Sequence, residues 1–236
     1  MGATAAVSLI RGGLWDSGKG WDIWFVYAVA GAALIDQIIK LVKEYRPPSD
    51  DKLFVPINDA LVTLLAHVAD ATGADWKRVG VHAFRVKGWG GRKHLKRIHR
   101  LRVRARPGPV DIRWTKGKGP LGRCWETKEP EPMNFRKKVL EITKTPSEDA
   151  FNQLDASEGM GLLYKEYCKL IKHFAEVGAW PILDGNDEPI GCIVVDIPHA
   201  GDPAPDAEPS LLEDDYVSDQ AAAAADLVGR MMKPRN

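Results

Sequence analysis

Two short apolar runs joined by a polar turn constrain this chain more than any other stretch of it. Residues 179–183 (AWPIL) and 190–196 (IGCIVVD) flank the turn 184–188 (DGNDE). Apolar runs of this length around a Gly/Asn/Asp turn predict a β-hairpin. Neither run alternates apolar with polar, so both faces of the hairpin must be covered by other elements. A chain of 236 residues is long enough to supply that cover.

The rest of the sequence supplies the covering pieces. Leu53 to Ala71 has a helical period through Val55, Leu61, Leu64, Leu65 and Val68 and stops at Thr72-Gly73. Val79 to Val86 alternates as a strand and runs into a Gly/Trp turn at 87–91. His94 to Arg106 reads as a second strand, with Leu101, Val103 and Ala105 on one face and Arg100, Arg102, Arg104 and Arg106 on the other. A glycine-rich turn opens a short helix at about 117–128. Residues 130–158 are polar and read as loop, with one helix around Phe135–Ile142. Gly161 to Val177 is amphipathic through Leu162, Leu163, Tyr164, Tyr167, Leu170, Ile171 and Phe174, either helical or half-extended, and an alanine-rich helix is expected at 211–232. The order suits an α+β fold: an antiparallel sheet with the first and last helices on one face and the short central helices on the other.

Charge is divided along the chain although the formal net charge is only +1. Between Trp76 and Trp125 Lys and Arg face a lone acid, Asp111, whereas His173 to Gly229 contains no Lys or Arg. The split reads either as mutually neutralising surfaces or as a basic face for an anionic partner. Nucleic acid is a poor fit, because no recognition motif frames Trp89 and Trp114. Three cysteines without CxxC spacing argue against a disulfide framework and for a reducing compartment. No metal-ligand cluster or cofactor motif is evident, and the Lys116-Gly117-Lys118-Gly119 turn lacks P-loop spacing.

Ile23 to Ile35 carries no charge. Extended to Leu41, it reads as a single membrane span with Trp21 and Trp24 at one interface. Lys40, Lys43, Arg46 and Lys52 follow it, which places the C-terminal domain in the cytosol. The alternative is a soluble helix packed on the domain or on a second copy of the chain. The expected organisation is a tail at 1–20, this helix at 21–46, a linker at 47–52 and one domain at 53–232.

The glycine turn after Trp114 and the PI-x-D-G-x-x-x-G-like hairpin together resemble the GAF family of small-molecule sensory domains. The resemblance covers roughly Leu53 to Met232. It implies a GAF/PAS-like sheet with a ligand pocket between the sheet and the central helices, and an output carried by a conformational change. The candidate ligand-binding residues are Arg100, Arg102, Arg104, Trp114, Lys116 and Trp180, for a small anionic molecule. Two alternatives accompany this reading: a ligand-free protein-interaction scaffold, and a thiol-dependent enzyme like the free methionine sulfoxide reductases. Cys124, displaced from the turn, Cys168 in a helix and Cys192 in an apolar strand read as packed thiols, so no catalytic residue is assigned.

Overall fold

The computed structural model describes residues 27–28, 31–38, 50–104, 111–136, 148–154, 159–199 and 210–233. Residues 49–233 form one compact unit, and residues 1–48 with 234–236 form another. Of the latter, residues 27–28 and 31–38 are helical, with Tyr27, Leu34, Ile35 and Ile38 exposed. Residues 23–26, 29–30 and 39–41 of the expected span at 23–41 lie outside the described residues.

Helix α1 (Asp50–Thr72) begins inside the stretch expected to be linker. Leu53, Ile57, Ala60, Leu61, Leu64, Leu65 and Val68 recur at helical spacing and are buried. Val55 is the exception to the expected stripe: it is 66% exposed. By length and composition Leu53–Thr72 could cross a membrane. Its buried stripe instead makes it a core helix of the domain.

Strands β1 (Gly80–Lys87) and β2 (His94–Leu101) pair antiparallel. Helix α2 (Gly119–Thr127) follows, then the short strand β3 (Glu131–Asn134) and helix α3 (Glu148–Asn152). Helix α4 (Tyr164–His173) runs directly into β4 (Phe174–Leu183), which pairs with β5 (Pro189–Pro198) as the hairpin that the sequence predicts. Helix α5 (Asp215–Met232) ends the domain, with Asp214 capping the Val217 N–H at 3.2 Å. The sheet order is β2-β1-β5-β4-β3, antiparallel throughout.

The hairpin turn is built by Asp184, whose Oδ1 accepts from the Asn186 and Glu188 amides at 2.7 and 3.0 Å. These two bonds hold its carboxyl below the usual range. Both sheet faces are covered, as the continuous apolar runs require. On one face α1 and α5 pack on Val81, Ala83, Ile193, Val195, Trp180 and Ile182. On the other, α2 and α4 pack on Phe84, Val177, Ala179, Cys192 and Val194 together with Trp114, Phe135 and Met160. This is the layout that the GAF resemblance implies.

Three expectations change. Strand β2 ends at Leu101 rather than Arg106, and Arg106 lies outside the described residues, as does most of the helix expected near Phe135–Ile142. Strand β3 occupies part of a segment expected to be loop. The segment expected at 161–177 is helix over Tyr164–His173 and strand from Phe174 onward.

Because β5 lies between β1 and β4, backbone approach there is close. A Cβ on Gly191 would stand 2.1 Å from the Phe84 carbonyl oxygen. Gly191→Ala is therefore expected to destabilise the domain by about 1–3 kcal/mol or more, read from the urea midpoint at unchanged m.

Candidate functional site

The face of the sheet under α2 and α4 carries the polar chemistry. Register places His82 opposite Arg100 and Phe84 opposite Arg97, with a bulge between the Ala83 and Phe84 pairings. The extra residue is Ile98, which packs toward the helix pair of the other face. Strict alternation backward from Arg100 would send Arg97 to that other face. The bulge restores it to the side of His82, Phe84 and Arg100. Arg97 is thus a candidate for this face that alternation missed; an apolar Ile98 inside the basic row was the available signal.

At the end of this row lies a buried ion cluster. Arg102 pairs with Asp196, and the other carboxylate oxygen, Oδ2, is 2.5 Å from His82 Nε2. Arg102 also donates to the Arg78 carbonyl at 3.1 Å and lies over the Phe174 ring at 5.9 Å. Arg78 donates in turn to the His199 carbonyl, and the His199 ring bonds the Ile171 carbonyl at 2.8 Å. Gly80 makes room: a Cβ there would stand 2.2 Å from Arg102 Nη2 and 2.7 Å from Asp196 Oδ2.

Burial, followed by the neighbouring guanidinium groups of Arg102, Arg97 and Arg100, pushes His82 well below the ordinary imidazole range. Burial and then Arg100 lower Arg102 to about 10, which leaves it charged at neutral pH. A neutral His82 facing a carboxylate carries its proton on Nε2 and donates it to Asp196. Its Nδ1 is then a buried acceptor with no partner among the described residues.

Beyond this row, an open cleft of ≈ 510 Å³ runs between β2 and residues 111–114. Phe84, Leu95, Ile112 and Trp114 line it with Arg97, Arg113 and His94; Asp111 is its acid. The Leu95 amide bonds the Trp114 carbonyl at 2.9 Å and fixes that edge. Arg97 has its pKa lowered by burial and then by Arg100.

The candidate residues therefore separate. Arg100 and Arg102 share the polar face, and Trp114 lines the adjoining cleft. Arg104 lies past the end of β2, largely exposed, and pairs with Asp75 at 3.5 Å. Lys116 is exposed on the glycine turn. Trp180 lies on the opposite face, fully buried, its indole N–H donating to Ser218 at 3.1 Å. It cannot join the arginines, because the pleat assigns it to the α1/α5 side.

The glycine turn is no phosphate cradle. Its amides are committed within the protein: Gly117 to Gly122, Lys118 to Thr115 and Gly119 to Met160. Gly119, at φ 62°, admits the Trp114 ring, which a Cβ would meet at 2.5 Å. Lys118 pairs with Glu166 at 2.7 Å, which braces the start of α4.

A second buried carboxylate, Glu176, is held by Arg136 at 2.9 Å, the Ser210 hydroxyl at 2.9 Å and the Leu212 amide at 3.1 Å. The Ser210 and Leu212 contacts tie the approach to α5 onto β4, and Arg136 ties the residues after β3 to the same strand. Burial and then Glu131 push the Cys124 thiol up to about 12, and burial carries Cys192 well above its ordinary value. Both shifts oppose thiolate formation. Among the described residues no cluster of His, Cys, Asp or Glu could hold a metal ion.

No family model matches the sequence, and no curated protein matches it. Among solved structures the chain is similar to the GAF domain of A. aeolicus nlh2 in an inactive state, at 15% identity and TM-score 0.37, over 74% of this chain and 96% of that one. It is similar to another structure described as the GAF domain, at 12% identity and TM-score 0.38, over 74% and 88%. The C-terminal domain of the E. coli transcriptional regulator KdgR overlaps at 11% identity and TM-score 0.38, over 75% and 98%. An antiparallel sheet with α1 and α5 on one face and α2 and α4 on the other is a GAF-like layout.

The cluster makes stability depend on pH. His82 stays neutral in the fold and titrates near 6.5 once unfolded, so its contribution is complete above that value and is lost as pH falls toward the folded value. His99 is shifted in the same direction, by burial and then by His82. Between about pH 7 and pH 5, His82→Gln should flatten the fall in unfolding free energy, since a tenfold difference in proton affinity between the folded and unfolded chain is worth about 1.4 kcal/mol. Urea titrations across that range give the comparison.

Proposed function

We propose that this chain is a GAF-like sensory or regulatory module that binds a small anionic molecule. The observation that carries the reading is the row Arg97, Arg100 and Arg102 on one sheet face, with Asp196 held at its end, beside the cleft lined by Phe84 and Trp114. Asp196 is occupied by Arg102 and His82. Arg97 and Arg113 therefore stand at the cleft as the groups suited to a carboxylate or phosphate, and the apolar lining suits a hydrocarbon or ring. Binding would be relayed through β5 and its hairpin to the helices on the far face, and from there to a protein partner or a second copy. The buried thiols disfavour a reductase.

We propose that the apolar segment 23–41 tethers this module, either in a bilayer or against the same segment of a twin. A bilayer span would keep the full chain in the pellet after alkaline carbonate extraction. A soluble protein that sediments at twice the chain mass would favour the twin, and a soluble monomer would reject both.

The ligand reading is tested by thermal-shift screening of nucleotides and organic acids on the wild type and on an Arg97→Gln, Arg113→Gln double variant. A ligand at a hundred times its Kd should stabilise the wild type by about 2.7 kcal/mol. The folded variant should lose most of that gain, since each charged hydrogen bond contributes about 1.5–3 kcal/mol. Equal stabilisation of both proteins would place the ligand elsewhere.

A further inference from the structure

The β1–β2 turn carries a side chain that neither the core nor the cleft uses. Trp89 is 92% exposed. It has glycine on both sides, Gly88 and Gly90, so no neighbouring side chain shields the indole. The turn that presents it is closed. The Arg92 amide bonds the Trp89 carbonyl at 3.2 Å, and the Lys93 amide bonds the Gly90 carbonyl at 3.4 Å. Gly88, at φ 97°, lies so near the Arg92 carbonyl that a Cβ would stand 2.7 Å from it. Arg113 reaches the same carbonyl at 3.4 Å and braces the turn from the neighbouring segment.

The side chains around this tryptophan are cationic. Arg92 and Lys93 lie exposed in the turn, and no acid among the described residues pairs with either. Lys96 and Arg113 are also exposed and continue the charge along the cleft. A large apolar ring with an N–H at one edge, held at a closed tip among cations, matches the interface of an anionic bilayer. The ring suits the headgroup level, and the cations suit the surface potential.

We propose that the β1–β2 tip docks the domain on anionic phospholipid, with Trp89 entering the interface and Arg92 and Lys93 contacting headgroup phosphates or carboxylates. The proposal rests on this turn alone and stands apart from both the ligand reading and the tether at 23–41. A bilayer is favoured over a single nucleic-acid strand because one exposed ring offers no run of stacking platforms along a groove.

The test uses the full chain with vesicles of brominated phosphatidylcholine, with and without phosphatidylserine. The difference between wild type and Trp89→Phe isolates Trp89 from the other tryptophans. Trp89 should be quenched on the phosphatidylserine vesicles and not on phosphatidylcholine alone, even if the tether holds the chain to both. Arg92→Gln with Lys93→Gln should lower affinity for the anionic vesicles by about 25-fold, or about fivefold per cation, with a weaker salt dependence. Both variants change exposed groups, so an unchanged melting temperature confirms that they fold. Quenching that is the same in wild type and Trp89→Phe on anionic vesicles would overturn the proposal. So would tighter, Trp89-dependent binding of a single-stranded oligonucleotide at the same ionic strength.

Discussion

Asp196 lies on the central strand of a sheet covered on both faces, where a carboxylate left to itself would be held far from water. The chain around it is arranged to prevent that. Arg102 neutralises it, His82 donates to it, and Gly80 leaves out the side chain that would collide with both. The guanidinium also holds the Arg78 carbonyl, and Arg78 and His199 extend the chain of bonds to the end of α4. One charge therefore joins the start of β1, the exit from β2, the far end of β5 and the last turn of α4. Removing one member would strand the others, and a broken buried pair costs about 3–5 kcal/mol where an intact one contributes little.

The two faces of the sheet serve different ends. Under α1 and α5 the packing is mainly apolar, with the buried Trp180 indole N–H satisfied by Ser218 and the buried His99 ring by Asn58. Alanines at 221, 224 and 225 let α5 lie close to its neighbours. Under α2 and α4 the core shares its surface with three arginines, a histidine and a carboxylate, then opens into the cleft beside Trp114. The first side is the more apolar and the second the more charged.

Much of this was legible in the chain. The hairpin, both long helices and the short helix after the glycine turn follow from apolar period and turn chemistry. The misses have physical causes. Strand β3 has the sequence EPMN, with too little apolar pattern to mark it, and is a strand only because β4 offers an edge. The step from α4 to β4 carries no Gly or Pro, so nothing local announces the change of period at His173. Trp180 looked free to join a site, but only the register of β4 says which face it takes. The arginine row was half read: Arg100 and Arg102 followed from alternation, whereas the bulge at Ile98 moved Arg97 in and the early end of β2 moved Arg104 out. A single inserted residue outweighs any period-two argument past it.

The margins of the sheet carry a consequence of their own. At one side β3 is four residues long and contains Pro132, which has no amide hydrogen to offer a further strand. At the other, β2 is bent by its bulge, bears the cations Lys96 and Arg97, and has one amide already taken by the Trp114 carbonyl. Both borders are therefore poor templates on which another molecule could add a strand. Edges blunted in this way work against edge-to-edge growth of the sheet in a crowded solution.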